Sequence, residues 1–317
     1  MTDRRSLDDL LNSDYIEDDN DASQCRWCGH YYESAEVTHC SECKMTRKLR
    51  TLAELGSTLP IGVKSDTGTF NRQFEAIPIT FAIEQDIRRR WGEDKQNAVS
   101  EHISTILAHT IKSVGGRPIT DKKFEHRQLI FAQMFQADVL YMYTYVRMLS
   151  LGNIMTLKGC NCPSCRASFD YPCDLGTIEI VEFTPETLTR NIVLADGFKI
   201  GDKLKKKIVI GPPLWLAWGS QLPKNPTTLD MFTSMFSSSV LSIEDTLDGI
   251  TVTDSEFMQL TKRDVDACED ALGLVSGGIV WEASGKCPEC KEKFTVMLDW
   301  SYDRFFKRSY PLQNRRR

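Results

Sequence analysis

CPSCRASFDYPCDL, from Cys162 to Leu175, and CPECKEKFTVMLDW, from Cys287 to Trp300, are two versions of one segment set 125 residues apart. Cysteine, proline, the second cysteine, phenylalanine and aspartate coincide; Arg166 falls on Lys291 and, upstream, Ile154 on Ile279. A Cys-x-x-Cys turn aims two thiolates at one ion, and zinc completes a tetrahedron with four ligands at about 2.3 Å. Each copy therefore reads as strand, knuckle, strand, which is half of a zinc ribbon. The two halves predict one four-thiolate site of Cys162, Cys165, Cys287 and Cys290, with the residues between them inserted. Loop closure costs rise only with the logarithm of length, so such an insertion is tolerable once it folds by itself. A rival local site of Cys160, Cys162, Cys165 and Cys173 would leave Cys287 and Cys290 unmatched. The alignment also places Cys173 on Leu298, a small core position, and Cys160 on Gly285, a turn. Cys268 lies in a helical stretch away from any knuckle.

Two more pairs, Cys25/Cys28 and Cys40/Cys43, form C-x2-C-x11-C-x2-C near the N-terminus. So short a segment cannot bury a core, and metal binding would supply much of its folding energy. His30 and His39 adjoin it, but four thiolates already fill a tetrahedron. The expected cofactor is Zn2+, two ions per chain. A redox role would need a lone Cys-x-x-Cys opening a helix after a strand, whereas these pairs come in twos and run into strand-like residues.

The surrounding chain gives an α+β protein: a small N-terminal zinc ribbon, a helical middle, and a second zinc ribbon split by a long mixed insertion. Residues 1–22 hold eight acidic residues and read as a tail, in which Leu7–Leu11 has the makings of a short partner-binding helix. Residues 23–50 form the first ribbon and 51–158 a strand connector plus helical domain. The two halves of the split ribbon are 159–182 and 277–310; 183–276 is the insertion and 311–317 a basic tail. Helical periodicity covers Ile79 to Ser113 and, more strongly, Asp121 to Leu151, where Phe131, Phe135, Val139, Met142, Val146 and Leu149 make one apolar stripe. Tyr141, Tyr143 and Tyr145 widen it, as core would. KLKKK at 203–207 sits in a hairpin-like region, and 226–275 reads as mainly helical.

The 317 residues carry a net charge of -5, which offers no broad attraction to nucleic acid or anionic lipid. Nothing approaches the ~20 apolar residues of a membrane helix. Eleven cysteines behind an acidic N-terminus without an apolar signal core point to a reducing compartment and to metal. Hydrolase, zincin and dinucleotide motifs are absent. Gly56 to Ser65 resembles a phosphate loop superficially, but its spacing is wrong and turn chemistry accounts for it. His102 and His109 share a helix face with no acidic partner at ligand spacing. No catalytic residue, organic cofactor or small-molecule substrate is expected.

The order of segments resembles the T-even-type tailed-phage baseplate hub and tail-assembly family. The resemblance rests on Leu59-Pro60-Ile61-Gly62, the strand from Phe74 to Thr80, Glu84, then Asp138, Tyr141, Arg147 and Ser150-Leu151-Gly152. The knuckle with Asp174-Leu175 follows, then the late knuckle with Phe294 and Tyr302 to Phe306. It covers roughly residues 56–182 and 277–310; the ribbon at 25–43 departs from it. The likeness implies a non-enzymatic structural or assembly protein whose partners are other baseplate or hub proteins. Its expected place is the host cytoplasm during assembly, with the finished virion tail left open. The alternative is a zinc-ribbon nucleic-acid-binding regulator, using Arg26, Trp27, Lys44, Arg47, Lys48 and Arg50 around the first ribbon.

Overall fold

The structure, a computed structural model, describes residues 24–25, 30–32, 38–46, 49–65, 67–91, 99–184, 187–218, 228–244, 252–298 and 306. The two terminal tails, Cys28, Arg26, Trp27, Arg47 and Lys48 lie outside these residues. The architecture is α+β, with small antiparallel sheets and short helices.

After the N-terminal ribbon come β1 (Arg50–Thr51), α1 (Leu52–Leu55), β2 (Thr58–Lys64), β3 (Phe70–Ala76), α2 (Phe81–Trp91), α3 (Val99–Thr110), β4 (Ile111–Val114) and β5 (Arg117–Pro118). Next are α4 (Phe124–Ala132), α5 (Gln136–Leu151), β6 (Ile154–Asn161), β7 (Ser168–Asp174) and β8 (Glu179–Val181). The second half holds β9 (Arg190–Ile200), β10 (Lys203–Ile210), α6 (Thr228–Ser239), β11 (Val240–Ile243), α7 (Asp254–Phe257), α8 (Lys262–Ser276), β12 (Gly278–Ile279), β13 (Glu282–Lys286) and β14 (Lys293–Met297).

One plan is drawn twice. A hairpin, β2–β3 or β9–β10, is joined by a third strand, β4 or β11, that leaves its helix without a linker. The register agrees pair by pair: Thr58–Gln73, Val63–Asn71 and Lys64–Phe70 in the first hairpin match Val193–Lys207, Phe198–Lys205 and Lys199–Leu204 in the second. Phe74–Val114, Glu75–Ser113 and Ala76–Ile111 match Ile208–Ile243, Val209–Ser242 and Ile210–Val240, with the register shift at the same step. Even side-chain bonds repeat: Thr110 and Ser239 donate back to Ile106 and Met235 carbonyls, each at 2.8 Å. Ser150 and Ser276 do the same to Val146 and Leu272, at 2.6 and 2.7 Å. Residues 183–276, expected as an insertion, thus supply most of a second copy of the unit that precedes them.

Each copy has its own apolar core. Leu59, Phe74, Ile106, Leu107, Tyr141 and Val146 centre the first, and Ile192, Leu194, Ile208, Phe236, Cys268 and Leu272 the second. Both knuckle hairpins, β6–β7 and β13–β14, pack into the first core, with Phe294 edge-on to Phe169 and Tyr171 at centroid distances of 5.1 and 5.0 Å.

Four expectations need correction. The helix expected from Asp121 to Leu151 is two helices, broken at Gln133 to Phe135. The break is stable because residues 213–215 satisfy it: Gln136 N–H donates to Pro213 O at 2.9 Å and Trp215 N–H to Met134 O at 2.8 Å. The stretch from Ile79 to Ser113 ends as strand β4 from Ile111, whereas the described part of 226–275 is mainly helical as expected, with the short strand β11 between its helices. Cys160 is not in a turn; it is a buried β6 residue opposite Phe169, and the neighbouring Gly159 takes the positive φ of 66°. His109 does have an acidic neighbour, Asp86 Oδ2 at 3.3 Å from its Nε2, supplied by a different helix.

Candidate metal centre

The knuckles share one backbone design. In three of them the first cysteine's N–H bonds the carbonyl five residues on: Cys40 to Met45, Cys162 to Ala167 and Cys287 to Glu292, at 2.9, 2.9 and 2.8 Å. The residue after the second cysteine returns its N–H to the first: Lys44 to Cys40, Arg166 to Cys162 and Lys291 to Cys287, at 2.9–3.0 Å. That return forces a left-handed backbone, and Lys44 (φ 61°), Arg166 (φ 61°) and Lys291 (φ 65°) are the non-glycine residues among those described with positive φ. Such a residue costs roughly 1–2 kcal/mol, so three together mark turns held by something stronger than local preference. Cys25 N–H reaches His30 O at 2.7 Å, the same first bond, and Gly29 holds the corresponding place in that sequence. The lysines add a cap, Lys291 Nζ to Pro288 O at 3.0 Å and Lys44 Nζ to Ser41 O.

The two distant knuckles meet crosswise. Cys162 Sγ is 3.6 Å from Cys290 Sγ, and Cys165 Sγ is 3.7 Å from Cys287 Sγ, so the first cysteine of each faces the second of the other. All four sulfurs lie within 4.8 Å of one another. A sulfur tetrahedron with bonds of about 2.3 Å has edges of about 3.8 Å, while a disulfide needs about 2.05 Å. The spacing fits ligands of a common ion, and no disulfide joins the described cysteines. Gly285 makes the approach possible: a Cβ there would lie 2.6 Å from the Tyr171 ring, whose hydroxyl donates to Ser284 O at 3.1 Å.

At the N-terminal ribbon, Cys25, Cys40 and Cys43 Sγ form a second group within 4.8 Å, with Cys25 and Cys43 3.6 Å apart. Their expected fourth partner, Cys28, lies outside the described residues. Neither His30 nor His39 belongs to the group; His30 Nε2 faces Ser41 Oγ at 3.2 Å and His39 Nδ1 faces Thr38 Oγ1 at 3.0 Å. Cys160, Cys173 and Cys268 stand apart from both clusters. Burial pushes the Cys173 and Cys268 thiols up to about 12 and raises Cys160 as well, which suits apolar packing and not ligation.

Two buried carboxylates hold the scaffold around these centres. Asp138, in the first turn of α5, accepts the N–H groups of Ile61 and Gly62, both at 2.9 Å. Tyr141 OH donates to Gly56 O at 2.7 Å, Arg147 Nη2 to Ile154 O at 3.0 Å, and Ser150 Oγ accepts Ile79 N–H at 2.8 Å. The family-like residues therefore tie β2 and β6 to α5. In the second copy Asp264, in the first turn of α8, accepts Ala195, Asp196 and Gly197 N–H at 2.6, 3.1 and 2.9 Å. Sequence reasoning passed over Asp264; its signal was an aspartate just after the Thr261 cap, ahead of the late knuckle as Asp138 is ahead of the earlier one.

A family model described as T4 bacteriophage base plate protein matches residues 92–307. The chain belongs to that family. No curated protein and no solved structure matches it. The base plate family match spans α3 through both knuckle hairpins of the four-sulfur cluster, while the N-terminal ribbon lies before it. None of the described helices is long and apolar enough to cross a membrane.

Proposed function

We propose that this base plate family member is a non-enzymatic structural or assembly protein of the phage baseplate or hub, acting through contacts with other baseplate proteins and held in shape by two zinc ions. Cys162, Cys165, Cys287 and Cys290 would hold one ion; Cys25, Cys28, Cys40 and Cys43 would hold the other. Bound zinc supplies a closed four-coordinate junction with no open position for chemistry. The observation that carries the reading is the crosswise meeting of Cys162 with Cys290 across 128 residues of sequence. A clamp there locks the ends of two successive units together, as a subunit bearing load between neighbours requires. The family-like polar residues Asp138, Tyr141, Arg147 and Ser150 are engaged in holding backbone, which fits a scaffold.

The chain's parts follow from this. The first ribbon is an added module, the split ribbon is the junction, and the two repeated units are the body. Assembly would take place in the host cytoplasm. The test is to recover a tagged chain from infected cells, with zinc counted by elemental analysis. Co-purification of baseplate or hub subunits and tails left unfinished after gene deletion are expected; normal infectious tails together with no co-purifying tail subunit would refute the role.

A further inference from the structure

The two units differ in one respect that matched backbones expose. In the first sheet Thr58, Gln73, Glu75 and Lys112 are exposed or half-exposed, and these four positions are polar. Their counterparts by register in the second sheet are Val193, Lys207, Val209 and Leu241. Val193 is 71% exposed and Leu241 48%. An isolated exposed apolar residue carries no message, but here the same framework shows that a polar surface suffices at these sites. Val193, Lys207 and Val209, with Asn191, Ser242 and Glu244, line a groove of about 490 Å³ on that face. Val193 and Val209 at the groove, with Leu241 exposed on the neighbouring strand, make this face more apolar than its counterpart, as a surface that something covers would be.

The chain itself contains a complementary segment. Residues 1–22 combine eight acidic residues with Leu7, Leu10, Leu11 and Ile16; Lys199 and Lys203 stand exposed along β9 and β10, as does Lys207, which also pairs with Glu244 at 3.3 Å. The segment also starts from the right place. Arg190, the first residue of β9, donates to Cys43 O, and Cys43 Sγ is 3.6 Å from Cys25 Sγ, so Cys25 lies near the start of β9. Twenty-two residues reach roughly 70 Å when extended, far more than the sheet's width. We propose that the outer face of β9–β10–β11 is a docking surface for this chain's own acidic N-terminal segment. Its leucines cover Val193, Val209 and Leu241, and its carboxylates lie against the lysines. The inference does not depend on the baseplate role.

The test uses methyl-labelled full-length protein and a chain lacking residues 1–22. Deletion is expected to shift the Val193, Val209 and Leu241 methyl signals. A synthetic peptide of residues 1–22 should restore them, with affinity falling about tenfold or more between low and high salt. Val193→Thr, Val209→Glu and Leu241→Lys together, which install the first unit's residues, should abolish peptide binding while metal content stays at the wild-type level. If that variant does not fold, the peptide titration on the deleted chain decides. Methyl signals indifferent to both deletion and peptide overturn the proposal. So does a concentration-dependent dimer that the triple variant abolishes and the deletion leaves intact, since the face would then belong to a second copy.

Discussion

Asp138 and Asp264 stand at the same place in two helices and grip two strands in the same way. Each is the third residue of its helix, each is buried, and each receives the N–H of a glycine with positive φ, Gly62 (φ 100°) or Gly197 (φ 79°). Their environments then set them apart. Burial raises the Asp138 carboxyl to about 6, against the pull of the Ile61 and Gly62 amides. Burial also works against ionised Asp264, but the amides of Gly197, Ala195 and Asp196 outweigh it and hold that carboxyl below its ordinary value.

Opposite shifts give opposite pH limbs. For Asp138 the folded state binds the proton more tightly than the unfolded chain, whose carboxyl titrates near 3.8. Its contribution is complete below that value and is lost as pH rises through about 6, a loss of about 3 kcal/mol. Asp264 contributes above its ordinary range and loses that contribution as acid protonates it. Urea unfolding from pH 2 to 8 should show the difference between wild type and Asp138→Asn changing across pH 4–6. The difference for Asp264→Asn should be largest at neutral pH and vanish in acid. Loss of metal in acid affects all three chains and drops out of the comparison. Parallel curves for both variants would refute the assignment.

The clamped glycines are the second point of attack. A Cβ on Gly62 would lie 2.7 Å from Asn71 O, and one on Gly197 would lie 2.3 Å from Lys205 O, both backbone atoms that cannot swing aside. Gly62→Ala and Gly197→Ala should each cost about 2–3 kcal/mol by denaturant unfolding. Gly159 also has positive φ (66°), but nothing lies within 4 Å of its Cβ position, so Gly159→Ala should cost only about 1 kcal/mol. Equal losses at all three would show that conformation, and not close approach, sets the cost.

These relationships explain what was legible in the sequence. The knuckles could be read because a metal turn fixes residue type at each step: cysteine, two linkers, cysteine, then a residue able to adopt positive φ. Their echo predicted the convergence of Cys162, Cys165, Cys287 and Cys290. The rest of the repeat was hidden because the fold constrains register rather than identity. Ile111-Lys112-Ser113-Val114 and Val240-Leu241-Ser242-Ile243 need only alternate, and loops of unequal length shift the spacing between matched elements. The break before α5 was invisible for another reason: Phe135 continues the apolar stripe, and the partners that satisfy the open backbone, Pro213 and Trp215, are distant in sequence.

Gly285 tests whether the hairpins, and not the cysteines alone, build the four-sulfur site. Gly285→Ala changes no thiol but would set a methyl 2.6 Å from the Tyr171 ring, prising apart the hairpins that carry Cys165 and Cys287. Zinc should leave this site faster, by about tenfold for each 1.4 kcal/mol of separation strain, with the N-terminal ribbon unaffected. Replacing Tyr171 by Ala in the same chain removes the obstructing ring and should slow the loss again. A release rate that Gly285→Ala leaves unchanged would mean the cysteines find the ion without help from the hairpin contact.

Removing single thiolates separates the shared site from the local alternative. On the proposed two-zinc reading, Cys290→Ser and Cys162→Ser should each lower the zinc count from two per chain to one, because both belong to the same four-sulfur cluster. Cys160→Ser and Cys173→Ser should leave it at two, since those buried thiols pack in strands away from the cluster. Where free zinc stands a thousandfold above its dissociation constant, losing the ion forfeits about 4 kcal/mol of stability. Cys290→Ser should therefore unfold at lower denaturant than either core variant, with chelator bringing the wild type down to meet it. Cys28→Ser should also lose one ion, from the other cluster, and leave the cooperative unfolding of the paired units unchanged. A protein that keeps two zinc ions after Cys290→Ser but loses one after Cys173→Ser would place the metal on Cys160, Cys162, Cys165 and Cys173, and the ends of the two units would no longer be joined through a common ion.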